Sequence, residues 1–197
     1  MLKVGITGGI GSGKTWVCRV FQHLGVPLFE ADSEVKKLYQ TDSNLKAELL
    51  KAFGSQAYNR EGIFNTTFFR EVLSDSFKRQ VLNDIVHPKI FQRFEEWSRE
   101  QKASYVIKEA AILFESGADK TVHKTIGVFA PLELRIQRVM QRDNRTRESI
   151  LGIVNMQLPE DELRQKVDYA ITNDNEQSVI EQVRNLHQIL LKISSEF

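Results

Sequence analysis

The chain lacks most of the features that mark secreted, membrane or nucleic-acid-binding proteins. Its one cysteine, Cys18, excludes an internal disulfide and suits a reducing compartment. Lys and Arg number 27 against 26 Asp and Glu, and this balance gives no reason to expect nucleic acid or an anionic membrane as a partner. No apolar run approaches the roughly 20 residues that span a bilayer. We therefore expect a cytoplasmic protein.

The rest of the composition is that of an ordinary folded domain. The 197 residues are 41% hydrophobic and 27% charged, which is enough to bury a sizeable core. The sequence contains no internal repeat, low-complexity tract or interdomain linker. These observations predict a single domain. We expect it to be a monomer or a weak homo-oligomer.

Glycine is concentrated near the start of the chain. A β-branched run from Val4 to Thr7 leads into Gly8-Gly-Ile-Gly-Ser-Gly-Lys-Thr15, and a helical pattern follows. Gly-x-x-x-x-Gly-Lys-Thr between a strand and a helix is the pattern of a P-loop. Its glycines let the chain pass close to a β-phosphate and turn successive backbone N–H groups toward it. A glycine-rich turn that binds nothing is the alternative, and the Lys-Thr pair disfavours it.

Each part of this motif has an expected role in binding ATP with Mg²⁺. The positive end of the first helix faces the phosphates, Lys14 reaches their β and γ oxygens, and the Thr15 hydroxyl ligates Mg²⁺. Trp16 donates its backbone N–H to the α-phosphate. The predicted nucleotide-binding residues are Gly9, Ile10, Gly11, Ser12, Gly13, Lys14, Thr15 and Trp16.

Apolar runs alternate with helical patterns along the chain, which predicts an α/β fold with a five-stranded parallel sheet in a three-layer sandwich. The predicted strands are Val4–Thr7, Val26–Phe29, Tyr105–Lys108, Thr125–Ala130 and Val167–Thr172. The core then comprises residues 1–32, 103–135 and 166–197, with a helical insertion at about 33–102 and a helical lid at about 136–165. Within the insertion, Pro88 fits the first turn of a new helix, with His87 at or before its cap.

Two acidic residues follow predicted strands, where parallel sheets place their ligands. Asp32 has two possible roles: it can cap a helix that begins at Ser33, or it can accept or orient the proton of an attacking hydroxyl. Glu109 can hold a water molecule of the Mg²⁺ shell or orient a substrate.

Basic and amide side chains follow the fourth and fifth predicted strands. Arg135, Arg138 and Arg142 share one helix face, which indicates either a solvated surface or a lid whose cations neutralise phosphate charge. We favour the lid. Asn173 lies in a turn, where it can present its amide to an adenine edge or cap the next helix.

Several motifs taken together resemble those of the dephospho-CoA kinase family. They are the P-loop in its Thr-Gly-Gly-Ile-Gly-Ser-Gly-Lys form, Glu30-Ala-Asp32, His87-Pro88, Leu113-Phe-Glu115, Gln141-Arg142-Asp143 with Thr146-Arg147-Glu148, Gln157, and Asp168-Tyr-Ala-Ile with Asn173. The resemblance implies a P-loop kinase that transfers a phosphoryl group from ATP to the ribose 3′-hydroxyl of dephospho-CoA. It assigns catalysis to Asp32, Lys14 and Arg142, nucleotide binding also to Arg142 and Asn173, and acceptor binding to Thr7, Asp32, His87, Glu109, Leu113 and Phe114.

The sequence departs from the family pattern at three places. Glu30 stands where the family usually has Asp, Glu109 stands where it has an Asp followed by x-Pro, and Arg135 stands where its lids often have Gln. None of these changes removes a group that the chemistry needs. A nucleoside monophosphate kinase is the nearest alternative, and a nucleotide-dependent binding module is the alternative outside enzymes.

Overall fold

The computed structural model describes all 197 residues. Five parallel strands form one sheet, which confirms the predicted parallel α/β sheet. The observed ends differ from the predicted ones by at most two residues. The strands are β1 (Leu2–Thr7), β2 (Leu28–Glu30), β3 (Tyr105–Glu109), β4 (Lys124–Phe129) and β5 (Tyr169–Thr172). Their order in the sheet is β2-β3-β1-β4-β5.

The chain divides into two compact units. The first unit comprises Met1–Phe29 and Glu100–Phe197, and the second comprises Glu30–Arg99.

Nine helices accompany the sheet, and none is long and apolar enough to span a membrane. The helices are α1 (Lys14–His23), α2 (Ala31–Thr41), α3 (Ser43–Phe53), α4 (Thr66–Ser74), α5 (Ser76–Glu100), α6 (Leu132–Asp143), α7 (Arg147–Val154), α8 (Glu160–Lys166) and α9 (Val179–Ile193).

The core of the first unit lies between one face of the sheet and the helices α1 and α9 that pack on it. Apolar residues alternate along the strands, so that one side chain in two faces these helices. The cluster includes Val4, Ile6, Ile107, Val128, Ile171, Val17, Phe21, Val183 and Leu190. On the opposite face, Gly5 leaves room for Leu113, whose Cδ2 lies 2.8 Å from the place that a Cβ on Gly5 would take.

The second unit is a helical cluster with an aromatic centre. The Tyr39 and Phe64 rings stack with their centroids 3.8 Å apart, and Phe64 and Phe69 stack at 4.3 Å. The Tyr58 hydroxyl donates to the Tyr39 carbonyl at 2.9 Å. Burial is the main cause that raises the pKa of Tyr39, to about 12, so this ring stays neutral at physiological pH.

Pro88 lies inside α5, so the prediction that it begins a new helix is wrong. Proline lacks the N–H that would bond the carbonyl four residues earlier, and this usually costs about 3 kcal/mol or more in a helix interior. Buried residues nevertheless recur every four positions through the proline, and their packing keeps the helix continuous. They are Leu82, Val86, Ile90, Phe94 and Ser98.

Asp168 ties β5 to β4 through Thr125. Its Oδ2 accepts hydrogen bonds from the Thr125 N–H at 2.8 Å and from the Thr125 hydroxyl at 2.7 Å, and Lys124 Nζ lies 3.3 Å from Oδ1. Burial alone would raise the pKa of Asp168, but the hydrogen bonds from Thr125 and Lys124 lower that pKa below its usual value.

Asp168→Asn is expected to lower the melting temperature at pH 7 by roughly 2–4 °C, which corresponds to about 1 kcal/mol for lost charge-assisted hydrogen bonds. A carboxyl group with a lowered pKa stabilises the fold above its unfolded-state pKa of about 3.9 and loses this effect as the pH falls further. Melting curves of both proteins between pH 7 and pH 3 should therefore converge at the acidic end. An equal difference at both ends would contradict a contribution from the charge.

Candidate functional site

The P-loop connects the end of β1 to the first turn of α1. Gly11 has φ 78° and Gly13 has φ 95°, conformations that side chains other than glycine rarely adopt. The loop is closed by a hydrogen bond of 3.1 Å from the Ser12 N–H to the Gly9 carbonyl. Neither Gly11 nor Gly13 donates its backbone N–H to another group of the protein. These two N–H groups are therefore available to a ligand.

Lys14 lies across the inside of this loop. Its Nζ donates to the Gly8 carbonyl at 2.7 Å and to the Gly9 carbonyl at 3.4 Å. The ammonium group is thus held at the loop, where it can contact the phosphates of a bound nucleotide.

Two outward carbonyls of the P-loop are held by side chains from distant parts of the chain. The Ile10 carbonyl accepts a hydrogen bond of 2.9 Å from Arg135 Nε, and the Ser12 carbonyl accepts one of 2.9 Å from Asn173 Nδ2. Arg135 is 6% exposed. Burial lowers the pKa of its guanidinium, and the nearby Glu160 carboxylate, 3.4 Å from Nη1, opposes that change.

The N–H group and the side chain of Ile10 are also held by other residues. Its N–H donates to Gln157 Oε1 at 2.8 Å. Its side chain packs against a small apolar cluster of α6 and α7 that contains Ile136, Val139 and Ile150. The segment that follows β4 therefore contacts the side chain, the N–H and the carbonyl of one P-loop residue.

The three arginines of α6 do not form one phosphate-facing row. Arg135 lies under the P-loop, and Arg138 donates to the Asn173 carbonyl at 3.1 Å and to Asn175 Oδ1 at 2.7 Å. Arg142 is the exposed member, with 66% of its side chain accessible. It forms a bidentate ion pair with the Asp143 carboxylate at 2.7 and 2.8 Å, and these hydrogen bonds raise the pKa of the Arg142 guanidinium.

The two predicted acidic residues occupy different settings. Glu109 ends β3 and pairs in register with Ile6, one residue before Thr7, so it lies at the same edge of the sheet as the P-loop. Asp32 lies in the first turn of α2, because that helix begins at Ala31. Glu30 occupies the cap position, so the alternative that Asp32 is the N-cap is wrong.

The remaining predicted acceptor residues are less accessible or lie in the second unit. Thr7 is 2% exposed and its hydroxyl donates to the Ala111 carbonyl at 3.4 Å, and Leu113 is fully buried. Phe114 is partly exposed, with Lys166 Nζ 5.9 Å from its ring centre. His87 lies within α5, where its ring stacks on Phe91 at 5.9 Å. The side chains of Thr7 and Leu113 therefore belong to the core of this structure.

The oxygen groups beside the loop fit the ligand preferences of Mg²⁺. Thr15 is exposed in the first turn of α1, and Glu109 is partly exposed at the end of β3. The structure contains no group of three or more His, Cys, Asp or Glu that could form a cage for a metal. Mg²⁺ in kinases is usually held by one or two protein oxygens together with phosphates and water, which matches this donor set.

Comparison with known proteins identifies the family. Residues 2–178 match the family model described as dephospho-CoA kinase. A dephospho-CoA kinase of Salinibacter ruber is 38% identical over 88% of this chain and 89% of its own. One of Bacteroides fragilis is 34% identical over 94% and 91%. A crystal structure of a Thermus thermophilus protein has a TM-score of 0.83 at 30% identity and covers 98% of this chain and 97% of its own. The chain belongs to the dephospho-CoA kinase family.

Proposed function

We propose that the protein transfers the γ-phosphoryl group of ATP to the ribose 3′-hydroxyl of dephospho-CoA, which yields coenzyme A. The observation that carries the donor half is the P-loop, whose Gly11 and Gly13 N–H groups have no partner within the protein. The acceptor half rests on the family to which the chain belongs. The cytoplasmic location and the monomeric or weakly associated state stay predictions from the sequence.

The donor site consists of the P-loop and the first turn of α1. The loop N–H groups and the helix end bind the phosphates, and Lys14 can turn from the Gly8 and Gly9 carbonyls to the β and γ oxygens. Thr15 would hold Mg²⁺ directly and Glu109 would hold it through water. The bound ion would offset the negative charge of the phosphates.

Two further groups complete the proposed chemistry. Asp32 accepts or orients the proton of the 3′-hydroxyl, a role for which its exposed position in the first turn of α2 leaves the carboxylate available. Arg142 stabilises charge on the transferred phosphoryl group, and its long exposed side chain can exchange Asp143 for phosphate oxygens. The segment 136–165 is the proposed lid, and the insertion at about 33–102 is the proposed acceptor-binding part.

The acceptor is tested by following ADP release with dephospho-CoA, with a series of nucleoside monophosphates, and with no acceptor. We expect rapid release with dephospho-CoA only, and a product that carries one additional phosphate by mass spectrometry. Faster release with a nucleoside monophosphate would identify a nucleoside monophosphate kinase. Slow release that no acceptor accelerates would instead indicate a nucleotide-dependent binding module.

Asp32→Asn is expected to lower turnover by about 10²-fold or more, because it removes the carboxylate charge and keeps the size of the side chain. The melting temperature should change little, since Asp32 does not cap α2. Asp42→Asn is the matched control. Asp42 caps α3 by accepting from the Asn44 and Leu45 N–H groups, and Asn caps about equally well. Equal turnover of the two variants would remove Asp32 from the mechanism.

Arg142→Ala is expected to lower turnover by about 10²-fold and to raise the KM for ATP much less, because a lid cation acts mainly on the closed, charge-developing state. Arg184→Ala is the control, since Arg184 is an exposed arginine of α9 that lies outside both the P-loop and the proposed lid. Steady-state kinetics of both variants separate the two effects. A change confined to the ATP KM would make Arg142 a ground-state binding residue.

A further inference from the structure

The peptide groups of the P-loop are oriented by two side chains that lie outside the motif. A trans peptide is planar, so its carbonyl and its N–H point in opposite directions. The Ile10 carbonyl and the Gly11 N–H belong to one such peptide, and the Ser12 carbonyl and the Gly13 N–H belong to another. Arg135 and Asn173 hold the two carbonyls, each at 2.9 Å. The Gly11 and Gly13 N–H groups therefore point away from these side chains.

We propose that Arg135 and Asn173 are positioning residues, which act through the Ile10 and Ser12 carbonyls to turn the Gly11 and Gly13 N–H groups toward the β-phosphate. This inference rests on the nucleotide-binding half of the proposed function and does not depend on the acceptor.

Arg135 is itself held in place on several sides. Its guanidinium is buried, and its Nη1 pairs with Glu160 at 3.4 Å. Glu160 Oε1 in turn accepts from Arg164 at 2.8 Å, and the Arg164 guanidinium lies 3.9 Å from the centre of the Phe129 ring at the end of β4. This chain of contacts restricts Arg135 to the orientation that reaches the Ile10 carbonyl.

Asn173 is fixed in a similar way. Its own N–H donates to the Phe129 carbonyl at 2.8 Å, which extends the β4–β5 pairing by one residue. Arg138 Nη2 lies 3.3 Å from Asn173 Oδ1, an acceptor, and this assigns the other end of the amide as the donor to Ser12. The amide is therefore engaged at both ends, which differs from the predicted contact with an adenine edge.

Binding of ADP and AMP separates this role from the alternatives, because only ADP carries the β-phosphate that the loop surrounds. Calorimetric titrations would compare the wild type with Arg135→Leu, Asn173→Leu and Arg135→Gln, each well below its melting temperature. We expect Arg135→Leu and Asn173→Leu to weaken ADP binding by about 10-fold or more and to leave AMP binding within about twofold. Arg135→Gln retains one donor and should recover most of the ADP affinity.

Arg79→Leu is the matched control, because Arg79 also donates to a main-chain carbonyl, that of Leu73 at 3.1 Å, within the other unit. It should leave the ratio of ADP to AMP affinity unchanged. If Arg135→Leu does not fold, Asn173→Leu makes the same test at the second carbonyl.

Three results would overturn the proposal. An equal loss of ADP and AMP affinity would mean a general structural defect or a direct contact with the adenosine. Unchanged ADP binding in Asn173→Leu or in folded Arg135→Leu would mean that the carbonyl bond does not orient the loop. A wild type that binds ADP no better than AMP would remove the phosphate-binding role of the loop itself. A wild type that binds ADP normally but does not phosphorylate dephospho-CoA would overturn the acceptor assignment and leave this inference standing.

Discussion

A loop that turns its N–H groups toward an anion must turn the carbonyls of the same peptides away from it, and those carbonyls need donors of their own. In this protein the donors come from residues more than 120 positions away along the chain, Arg135 for Ile10 and Asn173 for Ser12. The geometry of the P-loop therefore depends on β4, which pairs with β1, and on the residues that follow β4 and β5 in the chain. Long-range contacts with the C-terminal half of the chain therefore fix the shape of the phosphate site.

The sequence predicts well those features that are encoded locally. The P-loop, the five parallel strands and their approximate ends follow from short patterns, because strand alternation and glycine conformation are properties of neighbouring residues. The motifs that resemble dephospho-CoA kinases also lie in short runs, and the family comparison confirms that resemblance. The two local errors, at Pro88 and Asp32, concern where a helix begins, which packing decides as much as the cap and proline signals do.

Features that arise from contacts between distant segments could not be predicted. The spacing of Arg135, Arg138 and Arg142 correctly indicates one helix face, but it contains no information on what each guanidinium meets. The structure places the first under the P-loop, the second on the Asn173 turn and the third in solvent. The hydrogen bond from the Ile10 N–H to Gln157 joins residues 147 positions apart, and no local sequence pattern predicts it.

The close packing of Arg135 against the P-loop determines which of the loop glycines another residue could replace. A Cβ on Gly9 would lie 2.1 Å from Arg135 Nη2, the end of a long side chain, and Gly9 does not have a positive φ. A Cβ on Gly11 would lie 2.4 Å from the Arg135 carbonyl, which is main chain, and Gly11 has φ 78°. A shorter residue in place of Arg135 would therefore leave room for alanine at Gly9, whereas Gly11 is restricted by the main chain of Arg135 and by its own positive φ. The residue at position 9 should therefore covary with the residue at position 135, whereas position 11 should remain glycine whatever residue occupies position 135.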